Sequence, residues 1–212
     1  MAIKQNFIHP LIFLLVTLGC SNNTNQRVII SFETIPALQK ETELIHAIDN
    51  YLPASQLSKY LNQQNWIDTF LIKRNAFAPL EIFIMSKEPK YIWNDKFYLD
   101  KELSKFLYDG GHPELIKLIM PIEYTKTWSN TEDKFLILFE TANFNIKSIN
   151  FNPAEGWFIF MNNNLRINLG DQLSSDIYQR LSLTLKYLLE NNLTPSIIDL
   201  RYKDGAALNY GK

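Results

Sequence analysis

Cysteine is almost missing from this chain: Cys20 is the only one in 212 residues. No intramolecular disulfide and no cysteine-based zinc site can therefore form. Histidine is nearly as scarce, and His9, His46 and His112 lie too far apart for a metal pair at helical or hairpin spacing. Glycine, at seven residues, is also sparse, and no phosphate-cradling glycine loop, nucleophile elbow or zinc-protease motif occurs. The adjacent acids Glu132 and Asp133 read as the charged first turn of a helix, where the dipole favours them, rather than as a catalytic pair. These absences predict no catalytic residue, no metal ligand and no cofactor. A formal charge of −1 gives no basic footprint, which speaks against nucleic acid as a partner. Nor does any apolar run reach the roughly 20 residues that a bilayer-spanning helix needs.

What is present describes a foldable protein. Hydrophobic residues make up 46% and charged residues 20%, enough to bury a core in one ordinary domain or two small ones. Residues 7–20 are nonpolar apart from His9 and Thr17, with Lys4 ahead of them. Three readings of this segment stay open. It is a short membrane anchor, a cleaved signal peptide whose core it matches in length, or a lipoprotein signal at Leu18-Gly19-Cys20-Ser21 with Thr17 where a branched aliphatic is usual. Each of the three carries the rest of the chain out of the cytoplasm. Residues 21–26 form a polar linker.

The pattern beyond the linker is α+β. Val28, Ile30 and Phe32 alternate as a strand. Leu44, Ile45, Ile48 and Leu52 fall at helical spacing, Pro53 ends that helix, and Ser55 is placed to cap a second one carrying Leu57, Tyr60 and Leu61. Residues 66–73 and 80–85 read as strands joined by a turn around Ala78-Pro79. From Tyr91 onward β signals dominate: strands at 91–93 and 97–100 around Asn94-Asp95, a loop at 109–113, and alternating strands at 144–151, 156–161 and 165–169. Residues 135–139 fit helix or strand by periodicity alone. Ser174 or Ser175 caps the clearest helix, whose stripe is Ile177, Leu181, Leu185, Leu188 and Leu189 and which Asn191-Asn192 ends.

The chain finishes on a hairpin signal. Ile198, Leu200 and Tyr202 alternate with Asp199, Arg201 and Lys203, Asp204-Gly205 is a strong turn dipeptide, and residues 206–210 fit a returning strand. Such a strand is predicted to lie at a sheet edge. The run Asp199-Leu200-Arg201-Tyr202, two residues, then Gly205-Ala206-Ala207-Leu208 resembles the C-terminal signature of the FtsQ/DivIB bacterial cell-division proteins. It follows an amphipathic helix with an Arg180-Leu181 pair, as in that family. The earlier order of strand, helix, helix, strand, strand, closed by Lys87-Glu88-Pro89, resembles the family's POTRA module. Departures are Thr34-Ile35-Pro36 and Lys101-Glu102 where the family usually has glycine, and Tyr210 where relatives often carry tryptophan.

The resemblance implies a tail, anchor and linker at 1–26, a POTRA-like domain at 27–88 and a mostly antiparallel β-domain at 89–212 with a helix at 135–139. It also implies a non-enzymatic divisome scaffold in the bacterial inner membrane, held by its N-terminal segment, with the bulk of the chain in the periplasm at the division septum. Its implied partners are FtsB- and FtsL-type division proteins, captured by strand addition to the terminal edge, and other membrane divisome proteins. No small-molecule substrate is implied. By position, Arg201, Tyr202, Ala206, Leu208 and Tyr210 are the candidates for partner binding. A second class stays open: an exported lipoprotein, periplasmic binding protein or hydrolase unrelated to division. That class would demand a deep pocket lined by converging polar groups, whereas a scaffold would show an open sheet edge.

Overall fold

The alternation of Val28, Ile30 and Phe32 builds the first strand of the computed structural model, which describes residues 28–33, 38–51, 55–74, 79–107 and 111–211. The readings of residues 7–20, Cys20, the 21–26 linker, Thr34-Ile35-Pro36, Leu52, Pro53, Ala78 and Asp109-Gly110 lie outside these residues. Strand β1 (Val28–Phe32) is followed by helices α1 (Leu38–Tyr51) and α2 (Leu57–Asn62) and strands β2 (Ile67–Lys73) and β3 (Leu80–Ser86). They form a three-stranded sheet ordered β1-β3-β2, with β1 parallel and β2 antiparallel to β3. Leu80, Ile82 and Ile84 face inward and share a cluster with Leu44 and Ile48 of α1 and Leu57 and Leu61 of α2. Spacing of four selects Leu44 and Ile48, which leaves Ile45 at 37% exposure, outside the stripe predicted for it. Nor does Ser55 cap α2: Gln56 holds the N-cap position, and no side chain bonds there.

The second sheet has nine strands. Its elements are β4 (Tyr91–Trp93), β5 (Phe97–Leu99), β6 (Lys105–Leu107), β7 (Lys117–Ile119), α3 (Ile122–Ser129), α4 (Glu132–Thr141), β8 (Ile146–Asn152), β9 (Gly156–Met161), β10 (Arg166–Gly170), α5 (Ser175–Glu190), β11 (Ile197–Asp199) and β12 (Ala207–Asn209). The strand order is β12-β11-β10-β9-β8-β7-β4-β5-β6. Asn94 and Asp95, at φ 50° and 54°, make the predicted β4–β5 turn in the left-handed region that Asn and Asp tolerate best after glycine. Five of the eight pairings are antiparallel; β4–β7, β7–β8 and β10–β11 are parallel. Parallel neighbours need a crossover, and helices supply two of the three: α3 and α4 between β7 and β8, and α5 between β10 and β11. Among the described residues no helix is long and apolar enough to cross a membrane.

The crossover helices cover one face of this sheet. Ile149, Ile159, Ile167 and Ile198, from β8, β9, β10 and β11, meet Trp128 of α3, Phe135 and Phe139 of α4, and Leu181, Leu185 and Leu188 of α5 in one buried cluster. Helix α5 starts where the sequence places it: Ser174 Oγ accepts from the Ile177 N–H at 3.3 Å. Leu189 departs from its predicted stripe and stands 52% exposed, because Leu188 takes the inward position beside it. Glu132 and Asp133 do open α4, yet Glu132 is not solvated there. It is buried, accepts from the Tyr91 hydroxyl and pairs with Lys90. Burial first, and then that carboxylate, push the Tyr91 hydroxyl pKa well up.

At the other end of the sheet the opposite face is covered too. Ile92, Tyr98 and Phe106, from β4, β5 and β6, join the cluster built by α1, α2 and the three-stranded sheet. Residues 87–90 connect the two sheets: the Lys87 N–H donates to the Trp66 carbonyl at 2.8 Å, and its ammonium lies 3.4 Å from Asp100.

Candidate functional site at the sheet edge

Strand β12 pairs with β11 alone, so among the described residues its outer side carries backbone groups with no strand partner. Its registration on β11 is Ile197 with Asn209, Ile198 with Leu208, and Asp199 with Ala207. The buried Ile198 sets the inward face, and Leu208, opposite it, packs half-buried against the same core. Alternation then turns Ala207 and Asn209 to the other face. The Asn209 carbonyl accepts from the Ser196 N–H at 2.8 Å and from its Oγ at 3.1 Å, which ties the strand's far end to the chain entering β11.

The structure distributes the five candidate residues unevenly. Tyr202 and Tyr210 are exposed, at 62% and 52%, and flank β12 in sequence on either side. Ala206 and Leu208 are half-buried and packed against the core, so what Leu208 offers a partner is its backbone. Arg201 lies just past β11 and is exposed. Its bond is not cross-strand: Nε donates to Asp199 Oδ1 at 2.9 Å, and the Arg201 backbone N–H donates to the same oxygen at 3.0 Å. That pairing holds the Asp199 carboxyl below the usual aspartate range, with the Asn168 amide helping at 3.3 Å. Asp199 in turn raises the pKa of Arg201.

The connection between the two strands differs from the predicted tight hairpin. Strand β11 ends at Asp199, Leu200 is the last residue of the alternation to be buried, and β12 resumes only at Ala207. Tyr202 therefore lies outside the strand and points away from the core. Gly205 does not adopt positive φ, so the Asp204-Gly205 step makes no left-handed turn. A long-range side chain closes the loop instead. Arg180, one helical position before the buried Leu181, donates through Nη1 to the Leu200 carbonyl at 2.9 Å, the Tyr202 carbonyl and the Gly205 carbonyl at 3.2 Å. Its Nε donates to Asp176 at 3.0 Å, one turn back on α5. Sequence reasoning set Arg180 on the polar face and in the family's Arg-Leu pair, but nothing local reveals its reach to a loop 20 to 25 positions onward.

The described residues also line open depressions. An open depression of about 350 Å³ lies beside the loop, lined by Gly170, Gln172, Asp176, Arg180 and Arg201 among others. Another, of about 400 Å³, lies on the three-stranded sheet between Phe70, Leu71 and Phe83. Among the described residues no group of His, Cys, Asp and Glu is placed to hold a metal. His112 sits beside the ring of Tyr98 and 3.0 Å from Glu114, both nearby in sequence.

No protein-family model matches the chain. Among curated proteins it is similar to the cell division protein FtsQ of Vibrio cholerae, 27% identical over 151 residues that cover 68% of this chain and 56% of that protein. FtsQ of Acinetobacter oleivorans is 25% identical over 197 residues, covering 85% of this chain and 64% of that protein. FtsQ of Neisseria meningitidis is 22% identical over 151 residues, covering 68% and 62%. The chain thus spans less than two thirds of the length of the curated relatives it matches first. Seven such proteins carry the same name, so the resemblance announced by the C-terminal signature extends over most of the chain as similarity to the FtsQ cell-division proteins.

Proposed function

We propose that this protein is a cell-division protein of non-enzymatic kind, a scaffold that captures an extended segment of an FtsB-type partner, with FtsL, as an added strand on β12. The relatives' name supports the division role. The observation that carries the docking mode is the outermost position of β12, flanked by two exposed tyrosines. An open edge supplies backbone hydrogen bonds, and amphipathic aromatic anchors supply the energy that concentrates at interface centres. Ala207, exposed and small, lets a second backbone approach. In this reading the chain divides at 88/89 into a POTRA-like module and a β-domain, with the bulk of the chain in the periplasm and residues 7–20 at the inner membrane. Other membrane divisome proteins would meet the first module.

The test uses the full chain and a purified FtsL–FtsB pair. Tyr210→Ala removes an exposed ring without touching the core, and it should weaken capture by about 1–3 kcal/mol, or roughly 5- to 150-fold in Kd. Truncation after Lys203 should abolish capture, with near-ultraviolet circular dichroism reporting whether the sheet stays packed. Capture unaffected by Tyr210→Ala and by a folded truncation refutes docking at this edge.

A further inference from the structure

We infer that Arg180 is a positioning residue for the docking edge: its guanidinium gathers the β11–β12 loop and so sets how Tyr202 and β12 are presented together. The inference rests on the docking reading above and names what prepares that surface. Three carbonyls of the loop, those of Leu200, Tyr202 and Gly205, converge on one nitrogen, Nη1. That nitrogen has two protons, so the three oxygens share them, and charge-assisted bonds of this kind are about twice as strong as neutral ones. The guanidinium itself is fixed from behind. Asp176 accepts from Nε at 3.0 Å, and the Arg180 side chain is only 18% exposed. The helix that carries it is pinned in turn by its Ser174 cap and by the buried Ile177, Leu181 and Leu185.

The consequence is geometric. Local bonding acts only where the loop leaves β11, where the Arg201 N–H donates to Asp199 Oδ1 at 3.0 Å; beyond it Gly205 supplies no left-handed turn. Two ends hold it: Leu200 is buried and its N–H donates to the Asn168 carbonyl at 2.8 Å, and β12 is paired to β11. Between these ends the exposed Tyr202 has its main chain held by Arg180 alone among the bonds described. Losing the guanidinium leaves Tyr202 free to swing relative to the strand edge while the core of the sheet stays intact. A partner that needs both the edge and the tyrosine then binds a loop that must be ordered first, and loses affinity by that ordering cost.

The experiment compares Arg180→Met and Arg180→Lys with the unsubstituted full chain. Three readouts are taken: capture of the purified FtsL–FtsB pair, amide hydrogen exchange of residues 201–209, and the urea midpoint of the sheet. Arg180→Met should speed exchange in 201–209 and weaken capture on the order of tenfold. Arg180→Lys keeps a cation near the carbonyls but lacks the Nε bond to Asp176, and should recover part of both losses. If Arg180→Met unfolds the sheet, the Lys variant carries the same comparison. Unchanged exchange in 201–209 overturns the inference, as does faster exchange with unchanged capture when Tyr210→Ala in parallel does weaken capture. Where capture ignores Tyr210→Ala as well, the docking reading is what has failed, and the positioning role, which has no docking edge left to prepare, falls with it.

Discussion

Two leucines two residues apart on α5 put the packing of the nine-stranded sheet to a sharp test. Leu181 is fully buried in the cluster with Ile167, Ile198 and Trp157, whereas Leu183 stands 69% exposed. Truncating Leu181 to alanine removes three carbon groups from a dry environment, about 0.8 kcal/mol each, before any cavity is counted. With the cavity the loss should be about 2–5 kcal/mol. The same substitution at Leu183 removes little buried surface and exchanges one good helix former for a better one, so it should stay within about 0.5 kcal/mol of neutral. The comparison holds helix, chemistry and neighbourhood nearly constant and varies burial alone. Urea unfolding can be followed by tryptophan fluorescence, to which Trp128 and Trp157 contribute from this same cluster. With a slope of roughly 2 kcal/mol per molar, Leu181→Ala should move the midpoint down by about 1–2.5 M and Leu183→Ala by less than about 0.3 M. Leu189→Ala should behave like Leu183→Ala, since that residue also stands outside the core. Equal shifts at 181 and 183 would refute the reasoning, because the outer face of α5 would then be covered.

Two further outcomes follow from the sheet and its edge. Gly156 sits at φ +74°, and a Cβ there would meet the Gly170 carbonyl carbon and oxygen at 2.5 Å, backbone that no side-chain rotation can clear. Gly156→Ala should therefore lower stability by more than the roughly 1–2 kcal/mol of left-handed strain alone, read as a fall in urea midpoint; a midpoint unchanged would show that β9 and β10 do not approach so closely. The depressed pKa of Asp199 ties its ion pair to acid. The pair adds stability above the unfolded-state value of about 3.9 and loses it as pH falls through the lower folded value. An NMR titration should place the Asp199 midpoint below that of an ordinary aspartate, with Arg201→Ala moving it back up; a midpoint indifferent to Arg201→Ala would deny the coupling.

How much of this was legible in sequence depends on whether the cause was local. Strand β9 falls at the predicted residues 156–161, and α5 runs from its Ser174 cap to Glu190 as predicted, because alternation, helical period and capping are all short-range signals. Helix α3 was not predicted: in eight residues it buries only Thr125 and Trp128, too few positions to declare a period. Strand β6 was missed for the same reason, with Phe106 its single buried residue. The three parallel pairings of the nine-stranded sheet were hidden because alternation reports which face is buried and not which strand lies alongside. Tyr202 and the Asp204-Gly205 turn were misread because the decisive contact, from Arg180, arrives across the α5 crossover.

The size of β12 bears on how such an edge can be specific. Long flat edges pair with anything extended, and proteins protect themselves by keeping edge strands short. β12 has three residues, so it offers an incoming strand very few backbone bonds. Bonds to neutral backbone groups contribute about 1 kcal/mol each after exchange with water, which is too little to repay the ordering of a partner segment. The remainder has to come from side chains beside the strand, and the exposed groups there are Tyr202, Tyr210 and Arg201. Of these, Arg201 is already engaged by Asp199, so the docking proposed above would rest on the tyrosines as anchors. Anchors discriminate only when their spacing is fixed. Tyr210 directly follows Asn209, the last residue in register with β11, and the main chain of Tyr202 is bonded by the guanidinium of Arg180. In the docking proposed above, a short edge with two positioned rings would reject generic strands while accepting one whose own side chains match that spacing.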